Sequence, residues 1–96
     1  MSETRPQAVP TTFIDTPRVK VTQWRFAPGA QTGWHIHQMD YVVVPQTTGT
    51  LLLEEMDGER LAELKVGIPY TRNAGVEHNV VNANSYEFVF VEVEIK

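Results

Sequence analysis

The sequence predicts an all-β domain, either a small sandwich or a barrel. Short β-prone runs follow one another along the chain and are separated by turn-forming residues. No segment shows a sustained apolar period of 3.6 residues, which an amphipathic helix would need. The 96 residues are enough for one domain with a single core. Many short strands at regular spacing are typical of small β-sandwiches and β-barrels.

The composition excludes several classes of protein. Apolar residues make up 42% and charged residues 21%, as in a folded globular protein. The net charge is −4 and the basic residues are scattered, so no nucleic-acid partner is expected. There is no cysteine, which excludes disulfides and thiolate ligands. No apolar run approaches the roughly 18 residues of a membrane span, and the N-terminal segment lacks a secretory core, so we expect a soluble cytoplasmic protein without a membrane partner.

The first part of the chain is expected to differ from the rest. Residues 1–12 contain Pro6 and Pro10 among small polar residues, a pattern that predicts a flexible leader. Residues 13–96 are expected to form the single domain. No repeat or low-complexity tract interrupts that part of the chain.

The first predicted strand covers residues 18–26. Val19 and Val21 share one face, whereas Trp24 and Phe26 have the opposite phase. This change of phase predicts either a bulge or a strand that is buried on both sides. Proline and glycine then predict a loop over residues 27–33.

The middle of the chain predicts a strand and a hairpin. Residues 40–45, DYVVVP, are aromatic and β-branched, and the proline ends the run. After the QTTG turn, TLLLEEM and ERLAEL flank Asp57-Gly58, a strong signal for a two-residue hairpin.

Two further strands are predicted near the C-terminus. The run HNVVN, residues 78–82, is short and β-prone. The run YEFVFVEVEIK alternates over its whole length. One face carries Val89, Val91, Val93 and Ile95, and the other carries Phe88, Phe90, Glu92 and Glu94.

The three histidines of the chain are candidate metal ligands. His35 and His37 are two residues apart, so on a strand both side chains would lie on one face. Imidazole is a common ligand for transition metals. An isolated H-x-H pair also occurs on the surface of β proteins, and the remaining ligands must come from another strand. His78 opens such a run.

Glycines at fixed distances from these histidines match two sequence motifs. The pattern G-x5-H-x-H is followed, after a longer turn, by another glycine; the pattern G-x5-N-x-G-x2-H-x3-N comes later. This arrangement resembles the cupin family, whose motifs are G-x5-H-x-H-x(3,4)-E-x6-G and G-x5-P-x-G-x2-H-x3-N. The matched positions are Gly29, His35, His37, Gly49, Gly67, Gly75, His78 and Asn82. Asn73 stands where the family usually has proline.

The resemblance implies a double-stranded β-helix, or jelly-roll, barrel that pairs as a homodimer. It also implies one divalent transition metal (iron, zinc, manganese or nickel) bound by His35, His37 and His78. The glutamate of the first motif would fall at Tyr41 or Val42, and neither is a carboxylate. Asp40 lies one residue early and is our candidate for the fourth ligand.

Several alternatives to Asp40 remain open, because a shift of one residue on a strand normally turns the side chain to the opposite face. Asp40 could bind only if the chain turns between the second histidine and Tyr41. Otherwise Gln38, Tyr41 or water completes the site. The candidate pocket residues are Gln38, Tyr41, Trp34, Tyr70, Arg72, Phe88 and Phe90. The cation Arg72 is expected to pair with a substrate carboxylate if it points inward.

The chain also resembles small single-domain bacterial cupins, some of which are associated with β-alanine degradation. This resemblance implies a metal-dependent enzyme that acts on a small carboxylate or an amino-acid-derived metabolite, of the dioxygenase, isomerase or decarboxylase type. The alternative is a non-catalytic module that binds or senses a small molecule or the metal. A metal-free epimerase-like cupin would need basic residues for a diphosphate, and these are scarce near the motifs.

Overall fold

The computed structural model describes residues 4–96, which form nine β-strands and no helix. The strands are β1 (Val9–Asp15), β2 (Val19–Phe26), β3 (His35–Ile36), β4 (Asp40–Pro45), β5 (Gly49–Glu55), β6 (Gly58–Leu64), β7 (Tyr70–Arg72), β8 (Glu77–Asn82) and β9 (Phe88–Ile95). The predicted all-β class is confirmed. Over the same residues no helix has the length and hydropathy of a membrane span.

The strands form two antiparallel sheets. The larger sheet has the order β1-β2-β9-β4-β7, and the smaller has the order β3-β8-β5-β6. Successive strands of the chain therefore alternate between the sheets at several points, as in a jelly roll. The strand predicted at the C-terminus, β9, is central in the larger sheet, where it pairs with both β2 and β4.

The core lies between the two sheets, and both sheets contribute to it. The larger sheet provides Phe26, Val43 and Phe90, and the smaller provides Leu51 and Leu53. Each of these side chains is less than 5% exposed. Burial of each such side chain stabilises the fold by roughly 1.5–3 kcal/mol. These aromatic and aliphatic side chains therefore contribute much of the stability of this small domain.

The two faces of β9 have different roles. Phe88 and Phe90 point into the core with Glu92, and all three are less than 9% exposed. The valines of β9 lie on the opposite, outer face, where Val93 pairs with Val42 of β4 and Val21 of β2. The inner face is thus the one with the aromatic and acidic residues, and its acidic end defines one part of the candidate site.

The predicted leader differs from the observed structure. Strand β1 begins at Val9, and Ala8 is in the core with 1% exposure. Arg5 forms an ion pair with Glu54 at 3.0 Å. Residues 4–12 therefore contact the domain or belong to its sheet, and residues 1–3 of the predicted leader lie outside the described residues.

Of the two alternatives predicted for residues 18–26, the structure shows apolar side chains on both faces and no bulge. Pairing of β2 with β9 is continuous from Val19 to Phe26, so the change of phase in β2 reflects apolar side chains on both faces. The register shift occurs instead in β1, between Thr12 and Ile14. The hairpin between β5 and β6 is confirmed, but its two turn residues are Met56 and Asp57, one position earlier than the predicted Asp57-Gly58, because Gly58 already pairs with Glu55.

Candidate metal centre

The three histidines converge at one end of the space between the sheets. His35 of β3 lies directly opposite His78 of β8, and His37 follows the end of β3. The Nε2 atom of His37 lies 3.0 Å from Nε2 of His35 and 3.1 Å from Nε2 of His78. The structure therefore brings together the three residues that the sequence singled out.

The loop after β3 fixes the position of His37. Its backbone N–H donates a hydrogen bond to the carbonyl of Val76 at 2.8 Å. Its carbonyl accepts a hydrogen bond from the N–H of Gly75, also at 2.8 Å. Two short backbone bonds to the segment before β8 thus hold His37 beside His78, although β3 itself has only two residues.

The turn before β3 orients the ring of His35. Gly33 has a φ of 89°, which glycine adopts without steric cost, and its N–H donates to Oδ1 of Asn79 at 2.9 Å. The carbonyl of Gly33 lies 2.8 Å from Nδ1 of His35. A carbonyl only accepts, so Nδ1 carries the proton and Nε2 presents a lone pair to the other histidines. Metal-bound histidines are typically oriented in this way.

Burial keeps two of the histidines neutral. His37 is 7% exposed and His78 is 4% exposed. Burial, reinforced by repulsion from His35, lowers the pKa of His37 to about 4 and that of His78 to about 3. At neutral pH both rings are therefore in the form that binds metals.

The donor set fits a transition metal. Two nitrogens bound to one ion at about 2.1 Å would lie about 3.0 Å apart at octahedral right angles and about 3.4 Å apart at tetrahedral angles. The observed separations of 3.0 and 3.1 Å are closer to the octahedral value. With Nε2 of His35 unprotonated, Nε2 of His37 can either donate to one neighbour or accept from His78, so hydrogen bonds satisfy only one of the two contacts. A cation that accepts all three lone pairs resolves this arrangement. The buried Nδ1 of His78 has no hydrogen-bond partner among residues 4–96, so packing alone orients that ring.

The structure does not bring Asp40, the candidate fourth ligand, to the histidines. It begins β4 on the outer face, opposite Ile95, and its side chain is exposed. Its Oδ1 atom accepts a hydrogen bond from the N–H of Ala74 at 2.8 Å. The carboxylate belongs to neither group of nearby ligand atoms found in residues 4–96. The regular start of β4 explains this outcome, since alternation turns Asp40 outward and Tyr41 inward.

Tyr41 lies against the site through its ring. The rings of Tyr41 and His37 are stacked, with centroids 3.9 Å apart and an interplanar angle of 20°. Tyr41 is 2% exposed, and burial raises the pKa of its hydroxyl above the ordinary value. The hydroxyl therefore stays protonated at neutral pH, and the observed contact with His37 is one of packing.

Two glutamates, which sequence reasoning did not assign to the site, lie beside His37. Ligand atoms of His37, Glu92 and Glu94 are all within 4.8 Å of one another. Burial, with a contribution from Glu94, raises the pKa of Glu92 to about 7. The alternation of β9 was the available signal, because it gives both glutamates the same face as Phe88 and Phe90.

A cavity of about 290 Å³ opens beside the histidines and the two glutamates. Of the predicted pocket residues, Gln38, Tyr41, Tyr70, Arg72 and Phe90 line it. Arg72 reaches Glu55 at 3.5 Å, so a nearby carboxylate already partly balances its charge.

Two predicted pocket residues lie elsewhere. Phe88 is fully buried in the core and does not line the cavity. Trp34 is 49% exposed, and its Nε1–H donates to Glu77 at 2.6 Å. The tryptophan follows the turn at Gly33 and has the opposite phase to His35, which places it on the outer side of the site.

Comparison with known proteins identifies the family. The chain is 64% identical over 92 residues to the β-alanine degradation protein BauB of Pseudomonas aeruginosa, a match that covers 96% of this chain and 97% of the relative. It is 61% identical to a cupin domain of known crystal structure from Bordetella pertussis Tohama I, with a TM-score of 0.97 and 99% of both chains covered. The chain belongs to the cupin family. No family model matches it.

The cupin fold extends to much more distant proteins. A double-stranded β-helix protein from Klebsiella pneumoniae superposes with a TM-score of 0.78 at 20% identity, covering 98% of this chain and 81% of that protein. In the present cupin, Tyr41 stands where the first motif has glutamate, and the nearest inward carboxylates come from β9 instead. Its site is therefore a three-histidine cluster with an acidic wall, which consists of Glu92 and Glu94.

Proposed function

We propose that this cupin binds one divalent transition metal (iron, zinc, manganese or nickel) through His35, His37 and His78 and acts on a small amino-acid-derived metabolite. The convergence of three Nε2 atoms, with separations of 3.0 and 3.1 Å, is the observation that supports this proposal most strongly. Iron would supply oxygen chemistry, whereas zinc, nickel or manganese would supply Lewis acidity for isomerisation or decarboxylation.

The residues around the histidines support an enzyme more than a passive binding module. Glu92 combines near-complete burial with a pKa of about 7, close to the pH at which it would have to give and take protons. It lines the same cavity as the three histidines. A cavity of about 290 Å³ admits only a small ligand.

The class of substrate is inferred from the relative and from the cavity together. The relative from Pseudomonas aeruginosa is named a β-alanine degradation protein, which supports an amino acid or a short carboxylate as substrate. Arg72 lines the cavity and could pair with a carboxylate, at the expense of its 3.5 Å contact with Glu55.

Direct product analysis tests the proposed activity. Protein purified without added metal or chelator would first be analysed for its metal content. The metal-loaded protein would then be incubated in air with short amino acids and carboxylates, and products followed by mass spectrometry and NMR. Gain of oxygen, loss of carbon dioxide or an isomer of unchanged mass would identify the reaction type. Saturable binding without any product across these substrates would instead establish the non-catalytic binding module.

We also propose that the chain forms a homodimer through its larger sheet. The outer valine face of that sheet comprises Ile14, Val19, Val21, Val42, Val44, Val91, Val93 and Ile95. Ile14 and Ile95 are 47% and 49% exposed, and every residue of β1 is exposed. A second copy packed on this face would bury these apolar side chains and enlarge the small core.

A further inference from the structure

The acidic wall of the cavity consists of Glu92 and Glu94. Both belong to the inner face of β9, and both line the cavity. Glu92 is 8% exposed, so its carboxyl group lies almost entirely within the protein. The two carboxylates cluster with His37 and not with all three histidines, which places them to one side of the metal centre.

No cation within the described part of the chain pairs with either glutamate. Neither takes part in an ion pair among residues 4–96. Lys20 lies opposite Glu94 in the strand register without reaching ion-pair distance, and Arg72 contacts Glu55 instead. The neighbouring Trp24 indole opposes the rise in the pKa of Glu92, and no side-chain hydrogen bond joins the two residues in the described part of the chain. A carboxylate has about four acceptor positions, so even a nearby indole N–H leaves most of them unused.

Aromatic rings complete this end of the cavity. Trp24, Tyr41 and Tyr70 line it together with the two glutamates. Carboxylates bind an ammonium group by charge-assisted hydrogen bonds, and aromatic faces attract the same cation through their π electrons. A site of this composition disfavours a ligand that is only anionic, because its charge would face two uncompensated carboxylates.

We propose that Glu92 and Glu94 bind the ammonium group of a small amine ligand whose other end reaches His35, His37 and His78. The substrate class is thus a short amino acid with separated amine and carboxylate groups. The binding of the ammonium group is inferred from Glu92 and Glu94, whereas the contact at the other end of the ligand depends on the proposed function. The glutamates are specificity residues that select an amine over an otherwise similar acid or alcohol.

Calorimetric titration with matched probes tests this assignment. 3-Aminopropanoate and 3-hydroxypropanoate differ only in the group that would meet the glutamates. Both would be titrated at about pH 8, where a carboxyl group with a pKa near 7 is mostly ionised, into zinc-loaded and into metal-free protein. The variants are Glu92→Gln, Glu94→Gln and the double variant, which keep the side-chain size and remove the charge. Asp40→Asn is the control, because it removes a charge from the outer face of the same sheet.

We expect the wild type and the Asp40→Asn control to bind the amine at least about tenfold more tightly than the alcohol, as expected for a charge-assisted hydrogen bond in a buried site. The double variant should reduce this preference to less than about threefold. Equal binding of the two probes by the wild type, or an unchanged preference in the double variant, would overturn the proposal. Thermal unfolding of each variant confirms that it is folded.

Metal analysis of the same samples separates the two proposals. The wild type could bind two zinc ions per chain, with the second ion lost in Glu92→Gln or Glu94→Gln. That result would show that the glutamates bind a metal and would overturn the amine site. If the wild type does not bind zinc at all, the proposed function is contradicted. The amine site is still tested in that case, because the preference for the amine is measured in metal-free protein as well.

Discussion

The ring of Tyr41 lies against the ring of His37, with centroids 3.9 Å apart, at the position where the first motif has a glutamate. This contact holds the central histidine of the cluster from one side, while backbone hydrogen bonds hold it from the other. Tyr41 therefore contributes to the site by positioning a ligand.

Substitution of Tyr41 separates positioning from coordination. Tyr41→Phe keeps the stacked ring and removes the hydroxyl, so we expect metal affinity within about twofold of the wild type. Tyr41→Leu removes the flat ring, and we expect affinity about 10-fold lower, typical of losing a group that orients a ligand. Calorimetry with zinc checks both values. A large loss of affinity in Tyr41→Phe would mean that the hydroxyl coordinates the metal.

Asp40 is expected to matter for stability and not for metal binding. Its carboxylate accepts a hydrogen bond from Ala74 at 2.8 Å on the outer face. Asp40→Ala should lower the free energy of unfolding by about 1–2 kcal/mol and leave zinc affinity unchanged. Urea unfolding and calorimetry on one preparation provide both numbers. Weaker zinc binding in a folded Asp40→Asn variant would restore the carboxylate as a ligand.

The metal-free protein should lose stability as the pH falls from about 6.5 to 5. Burial lowers the pKa of His37 to about 4 and that of His78 to about 3, whereas the unfolded chain takes up both protons near pH 6.5. Glu92 acts in the opposite direction, because its pKa is raised to about 7 and the folded state then binds the extra proton. Two protons against one give a loss that grows as the pH falls and reaches about 1.4 kcal/mol per pH unit near pH 5.

Urea unfolding of chelator-treated protein at several pH values measures this slope. Glu92→Gln removes the opposing group and should make the loss about twice as steep. His37→Gln should make it shallower. A stability that is constant or that rises on acidification in this range would contradict the assigned pKa shifts.

The outer valine face predicts the oligomeric state. Light scattering should give about twice the 10.9 kDa mass of one chain. Ile95→Lys places a charge on this face and should shift the mass toward that of one chain. Met56→Lys is the control, because Met56 is 77% exposed at the hairpin turn away from the face. A single-chain mass for the wild type at micromolar concentration, or a dimer unaffected by Ile95→Lys, would contradict the assignment.

The sequence predicted those features that depend on local pattern. Alternation in residues 88–95 identified β9, and the spaced glycines around His35 and His78 indicated the family and the three converging histidines. Strand β1 was missed because Pro10 lies within it and its order comes from pairing with β2. The structure places Asp40 away from the histidines, because the register of β4 sets it opposite Ile95 on the outer face. Alternation puts Glu92 and Glu94 on the inner face of β9, but only the register between β4 and β9 places Glu94 opposite Tyr41.

The most direct test of the central claim is the zinc stoichiometry and affinity of the wild type, His37→Ala and His78→Ala, measured by calorimetry with circular dichroism as a check of folding. One ion per chain is expected for the wild type. Each variant should bind at least about 100-fold more weakly while remaining a folded β protein, since a site with an open position is less tied to folding than a closed structural site. If His37→Ala and His78→Ala retain one zinc ion per chain at the wild-type affinity, the three histidines are not the metal site.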